Sequence, residues 1–201
     1  MTVTLDGGSL QITDLVRVSR QHEHVALSED ARRNVENCRR VLEELVNSKI
    51  IYGVNTGFGA LSNVTIAQND LEALQINLIR SHAAGIGPSL PTDVTRAMML
   101  LRANTLAKGF SAIKASTLDT LIAMINSRLH PIIPERGSVG ASGDLCPLAH
   151  LALVMIGEGF AEYQGKRMGG SDALEAASIK PVHLAPKEGL ALINGTQMMT
   201  A

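Results

Sequence analysis

Apolar positions along this chain recur mostly at helical spacing. Val35, Cys38, Val41, Leu42 and Leu45 trace one face of a segment from Glu29 to Ser48, with Ser28 placed as its cap. Leu71, Leu74, Ile76, Leu78 and Ile79 give Asp70 to Ala84 a broad apolar side. Pro91 or Thr92 opens a helix running to about Lys108, and Ser116 to Leu129 forms the next. Leu145 to Gly157 is apolar almost all round, which predicts a buried helix. Shorter pieces complete the pattern. Thr13 can cap a helix through Val18, Ser171 one to about Ser178, and Lys187 to Ile193 is a further helical stretch. Gly157, Gly159, Gly165, Gly169 and Gly170 bracket a turn or hairpin over Phe160 to Met168. No internal repeat or linker interrupts the series, and the expected fold class is mainly α.

Composition narrows the function classes. The 201 residues carry a net charge of −1, which gives no electrostatic footprint for nucleic acid or an acidic membrane. Two Tyr, three Phe and no Trp leave little for base stacking. The polar, glycine-containing start from Met1 to Leu10 has no signal-peptide pattern, and apolar runs such as Leu148 to Ile156 are too short to span a bilayer. The chain is expected to be soluble and cytoplasmic. Cys38 and Cys146 are too far apart in sequence to suggest a disulfide framework, and Cys146 reads first as a small buried apolar residue. His22 and His24 lack a third ligand nearby and read as surface residues, so no metal site is expected. His130, His150 and His183 have no partner legible in the sequence.

The segment Gly137-Ser138-Val139-Gly140-Ala141-Ser142-Gly143-Asp144-Leu145-Cys146-Pro147 carries the most chemistry. Glycines before an apolar helix can mark a turn or an anion-binding nest. A phosphate loop would place Lys beside the last glycine, where Asp144 stands, and the spacing does not suit a dinucleotide fingerprint. A third reading is chemical. If the Gly143 nitrogen attacks the Ala141 carbonyl and two waters leave, one carrying the Ser142 hydroxyl, a methylidene-imidazolone electrophile results. Ala141 is small, Ser142 has the hydroxyl to lose, and Gly143 tolerates the strained backbone.

With this tripeptide stand three other runs: Tyr52-Gly53-Val54-Asn55-Thr56-Gly57-Phe58-Gly59, Ser81-His82-Ala83-Ala84-Gly85 and Asn194-Gly195-Thr196-Gln197. In this order the four blocks resemble the aromatic amino acid ammonia-lyases and aminomutases, and most of all the histidine branch of that family. The resemblance runs from about Leu10 to Ala201. It implies the amino-terminal domain of an L-aspartase-like helical-bundle enzyme, with a few short strands and glycine loops around the cofactor. Residues 1–201 would form the cofactor-bearing domain, truncated before the long helical bundle, since the family's enzymes are well over twice this length. It further implies a 4-methylidene-imidazol-5-one made from Ala141, Ser142 and Gly143, no external cofactor, an amino acid substrate and a homotetramer. The implied reaction takes L-histidine to trans-urocanate and ammonia.

The resemblance also assigns roles. Tyr52 alone reads as a packed tyrosine; in the family's pattern it is the base or proton shuttle, on a loop whose glycines let it fold over the site. His82 alone is a helix-end histidine; by resemblance it faces the substrate ring, where an imidazole or phenol offers polar atoms. Asp144 is either a helix cap or the residue that assists ring formation. Asn194 is either part of an Asn-Gly turn or the amide donor to the cofactor carbonyl. Gln197 is a substrate-side residue that, with Ala83, favours the histidine branch. The alternatives are a tyrosine ammonia-lyase, a tyrosine 2,3-aminomutase, or an inactive fragment serving only in assembly.

Overall fold

The computed structural model describes residues 2–137 and 145–201. Its spine is α4 (Thr92–Ala107), where Met98, Met99 and Leu100 are consecutive and all fully buried. With Thr95, Arg96, Ala97, Arg102, Ala103, Leu106 and Ala107 also buried, most of this helix is enclosed, and Leu101, Asn104 and Thr105 form a half-buried stripe. Around it pack α1 (Ile12–Gln21), α2 (Glu29–Leu45) and α5 (Ala115–Asn126). A second group, α3 (Leu71–His82), α6 (Leu145–Met155) and α8 (Glu188–Ile193), packs mutually at one end. The short α7 (Gly170–Ala176) and α9 (Gln197–Thr200) lie against α6 and α4 respectively. One continuous apolar core runs through both groups, from Val3 to Ile193.

The helices keep close to their expected bounds. Ser28 Oγ accepts from the Ala31 N–H at 3.1 Å and starts α2, which ends at Leu45 rather than Ser48. Val41, expected on the apolar face, is exposed, while Ala31, Val35 and Leu42 are buried. The first helix opens earlier than Thr13. Its cap is Gln11, because Asp14 reaches back to accept the Gln11 backbone N–H at 3.1 Å and closes a capping box. Likewise Gly169, not Ser171, precedes the first turn of α7.

Strands account for what the helical pattern left out. β1 (Thr2–Leu5) and β2 (His24–Leu27) pair in parallel, Thr2 opposite His24 through Leu5 opposite Leu27, with α1 as the crossover. The Asn126 side chain bonds the Val25 N–H at 2.8 Å and the Val25 carbonyl at 2.9 Å, so its amide stands in for a further strand. β3 (Ile86–Ser89) runs antiparallel to β5 (Pro134–Arg136). β4 (His130–Pro131), β6 (Phe160–Tyr163) and β7 (Lys166–Gly169) form a three-stranded sheet in that order. The expected hairpin over Phe160 to Met168 is β6–β7. Gln164 and Gly165, with φ of 51° and 72°, make the tight turn that suits strand twist. Among the described residues no helix is long and apolar enough to cross a membrane.

Candidate active site

Four backbone pieces meet at the end of the molecule formed by α3, α6 and α8. The first is the irregular chain after α2, built around the Asn55 side chain. Its Oδ1 accepts from the Ile51 N–H at 2.7 Å, and its Nδ2 donates to the Val46 and Lys49 carbonyls at 2.9 and 2.7 Å. Thr56 continues the knot, accepting from the Gly53 N–H at 3.2 Å and donating to the Gly57 carbonyl at 2.9 Å. Gly53 has φ of 68°, and a Cβ there would lie 2.6 Å from Leu190 Cδ2 on α8, so any larger residue would be strained and would push Leu190 aside. This scaffold carries Tyr52, whose side chain is largely exposed. The Tyr52 ring stands edge-on to Phe58 at 6.0 Å and 82°, and the Gly59 N–H points to its hydroxyl at 3.4 Å.

The second piece is the C-terminal turn of α3. His82 Nδ1 lies 2.9 Å from the Leu78 carbonyl and 3.0 Å from Ser81 Oγ, and the Ser81 hydroxyl itself donates to Leu78 at 2.9 Å. A carbonyl only accepts, so Nδ1 carries a proton, and the tautomer consistent with this contact has its lone pair on Nε2. In that tautomer the His82 ring offers an acceptor at Nε2.

The third piece is the last turn of α8 with the residues after it. Glu188 is fully buried and anchors the start of this helix. Its carboxylate accepts from the Lys114 and Ala185 N–H groups and from the Thr117 hydroxyl at 2.7–2.9 Å, with Lys114 Nζ at 3.2 Å. Fully buried Gln75 on α3 accepts from the Leu190 N–H at 3.3 Å, and a Cβ on Gly189 would meet the Gln75 carbonyl at 2.7 Å. Helices α3 and α8 are thus locked at close range, which fixes His82 relative to Asn194. The fourth piece is the start of α6. His150, one of the histidines without a legible partner, accepts the Gly85 N–H at Nε2 at 3.0 Å and ties α6 to the chain after His82. Burial holds its pKa below the usual value, in keeping with a neutral acceptor.

The result is a cavity of about 380 Å³ lined by Tyr52, Phe58, Gly59, Leu78, His82, Leu145, Leu190, Ile193 and Asn194. Tyr52, His82 and Asn194 come together here from positions far apart in sequence. Leu145 brings the N-terminal end of α6 to the same wall, where the helix dipole contributes partial positive charge. An apolar groove of about 350 Å³ adjoins it, sharing Phe58, Leu78 and His82 and continuing to Leu61, Val64 and Leu74. Gln197 is not among the residues on the cavity wall. It is buried behind it, its Oε1 accepting from Arg102 at 3.0 Å and its Nε2 donating to Thr105 at 3.2 Å. Ala141, Ser142, Gly143 and Asp144 lie outside the described residues. Among the described residues no three His, Cys, Asp or Glu side chains gather as metal ligands. Cys146 is buried, and burial pushes its thiol pKa up.

A family model for aromatic amino acid lyases matches residues 10–201. The chain belongs to that family. Histidine ammonia-lyase of Alkaliphilus oremlandii (strain OhILAs) is 56% identical over 200 residues, which is 99% of this chain and 39% of that protein. The histidine ammonia-lyase of Bacillus subtilis (strain 168) is 53% identical over the same shares. Among solved structures, histidine ammonia-lyase from Trypanosoma cruzi superposes with a TM-score of 0.92 at 39% identity, over 100% of this chain and 39% of that one. Ergothionase from Treponema denticola gives 0.94 at 32%, over 98% and 40%. The chain therefore spans about two-fifths of the length of the relatives it matches.

Sequence reasoning passed over the apolar wall of this lyase-family cavity. Leu78 stands four residues before His82 on α3, and Leu190 four before Asn194 on α8. A helical residue shares its face with the one four positions earlier, and that spacing was the signal available.

Proposed function

We propose that this chain is the cofactor-bearing amino-terminal part of a histidine ammonia-lyase, which takes L-histidine to trans-urocanate and ammonia as the first step of histidine breakdown. The observation that carries the reading is the convergence of Tyr52, His82 and Asn194 on one cavity at the start of α6. The histidine ammonia-lyase relatives at 53–56% identity support the choice of substrate.

The surroundings fit a ring made from Ala141, Ser142 and Gly143. A Cβ on Gly137 would lie 2.6 Å from Cys146 Sγ, so the flanks of residues 138–144 touch, and Leu145 stands on the cavity wall. When formed, the methylidene-imidazolone supplies an electrophilic carbon that makes the substrate's amine a better leaving group. Asn194 holds the ring carbonyl through its amide N–H, aided by the positive end of α6, and Asp144 assists ring closure. Tyr52 takes the β-proton of the substrate. His82 Nε2 accepts a hydrogen bond from the substrate's imidazole N–H, which a phenyl ring cannot offer. The complete enzyme is a cytoplasmic homotetramer in this reading, and residues 1–201 alone, two-fifths of the length of the relatives, are expected to turn over negligibly.

The test is the full-length protein that carries this sequence, incubated with L-histidine. Urocanate formation is expected, together with a mass deficit of two waters in the peptide holding Ala141-Ser142-Gly143. An unshifted mass with no urocanate overturns the reading. A second reading follows from the tyrosine aminomutase of Streptomyces globisporus, at 37% identity and a TM-score of 0.93. The His82 Nε2 acceptor suits a phenol O–H as well. Coumarate or β-tyrosine from L-tyrosine, with no urocanate from L-histidine, is the result that selects it.

A further inference from the structure

Arg102 lies on α4 with its side chain fully buried, and among the described residues no carboxylate pairs with it. Its charge is met by neutral acceptors. Nη2 donates to the Ala191 carbonyl in the last turn of α8, and Nη1 donates to Gln197 Oε1 at 3.0 Å. Gln197 is fixed in turn, since its Nε2 donates to Thr105 Oγ1 at 3.2 Å and that hydroxyl donates to the Leu101 carbonyl at 2.9 Å. Ala191 lies three residues before Asn194 and Gln197 three after it. Both sides of the Asn194-Gly195-Thr196 turn are therefore held from the same buried helix. A Cβ on Gly195 would lie 2.5 Å from Arg102 Nη1, so the backbone of the turn passes close over the guanidinium. Burial lowers the Arg102 pKa to about 10, which still leaves it charged at neutral pH.

We propose that Arg102, acting through the Ala191 carbonyl and Gln197, is a positioning residue that clamps the turn carrying Asn194 against the cavity wall. The proposal rests on the reading that Asn194 acts in that cavity. A cation satisfies the orphan carbonyls at the end of α8 better than a neutral donor does, and its planar fork reaches two acceptors at once. This also gives Gln197 a role behind the wall, where the structure puts it.

A double-mutant cycle in the full-length protein tests the clamp, with Gln197→Met, Arg102→Lys and Asn194→Ala singly and combined. Gln197→Met keeps the buried volume and removes both side-chain bonds. It is expected to lower kcat about 10- to 100-fold with KM within about 3-fold. In the Asn194→Ala background that further loss is expected to shrink below about 3-fold, because both changes act through one group. Amide hydrogen exchange across residues 190–198 is expected to rise in Gln197→Met while exchange in α5 stays unchanged. Losses that multiply independently of Asn194→Ala, or exchange that is unmoved over residues 190–198, overturn the clamp. Should Arg102→Lys fail to fold, Gln197→Met alone decides. Should the unsubstituted protein show no lyase or mutase activity, the functional reading falls, and the exchange measurement still decides the clamp.

Discussion

Arg96 and Arg102 sit six residues apart on α4, both fully buried, yet they serve different ends of the molecule. Arg96 donates to the Val18 carbonyl in the last turn of α1 at 2.8 and 3.1 Å. It also donates to the Ile125 carbonyl in the last turn of α5 at 2.9 Å, and lies 3.2 Å from His130 Nε2. Arg102 meets the last turn of α8 and the residues that follow Asn194. The device is similar in each case: a buried cation donates to carbonyls in the last turns of helices, at the negative end of the helix dipole. What differs is what hangs on those ends. At Arg96 it is the packing of α1, α4 and α5, and at Arg102 it is one wall of the cavity. Burial of a charge thus reports how helix ends are held, and its neighbours decide whether function depends on it.

Substitutions can break this comparison at either end. The largest effect belongs on the cavity side. Tyr52→Phe in the full-length enzyme is expected to lower kcat by about 10²- to 10⁴-fold, the range for a lost acid–base group. The melting temperature should hardly move, because the Tyr52 side chain is largely exposed. Steady-state kinetics beside calorimetry checks both halves. Next comes Arg96→Met, which strands the Val18 carbonyl in the core and takes one of its donors from the Ile125 carbonyl, and is expected to cost about 1–3 kcal/mol of stability. Denaturant unfolding should show that loss while kcat per folded molecule stays unchanged, the reverse of the pattern expected for Gln197→Met.

A pH titration sharpens the contrast further. Burial first, then Arg96, holds His130 down to about 4, whereas the unfolded chain takes up that proton near 6.5. Acidification between these values therefore favours unfolding, and stability is regained as pH rises through the same window. His130→Asn is expected to flatten that part of the stability–pH curve; an unchanged slope would show that other groups carry the acid response. The smallest effect is a baseline remote from both arginines. Ser28→Ala removes the α2 cap and is expected to cost about 1 kcal/mol with no change in kcat or in the acid window.

The helices were legible because a repeating apolar stripe spreads its signal over many residues, as in α2 and α3. Of the strands, the β6–β7 hairpin was legible from its bracketing glycines, and the others were not. β1 alternates polar and apolar over Thr2 to Leu5, but β1 and β2 are four residues each and pair across α1, so the run is too short to mark a strand. The buried arginines were equally hidden, since a charge in a helical pattern reads as solvent-facing until tertiary structure supplies carbonyls to meet it. In the candidate site the polar members Tyr52, His82 and Asn194 were legible only through the family resemblance of the runs that hold them; taken singly they read as a packed tyrosine, a helix-end histidine and an Asn-Gly turn. The scaffold beneath them, Asn55, Gln75, Glu188 and His150, works through bonds to backbone groups as many as 115 residues away. Such pairings have no sequence period.

The Asn55 knot has a consequence for the timing of order. Three hydrogen bonds from one amide close the chain between Val46 and Asn55, and the bonds of Thr56 extend that closure past Tyr52. The conformational entropy of this loop is therefore surrendered when the chain folds, not each time a substrate arrives. The backbone that carries Tyr52 is thus set before any ligand arrives, and in the proposed reaction binding free energy would be left for the substrate's own orientation.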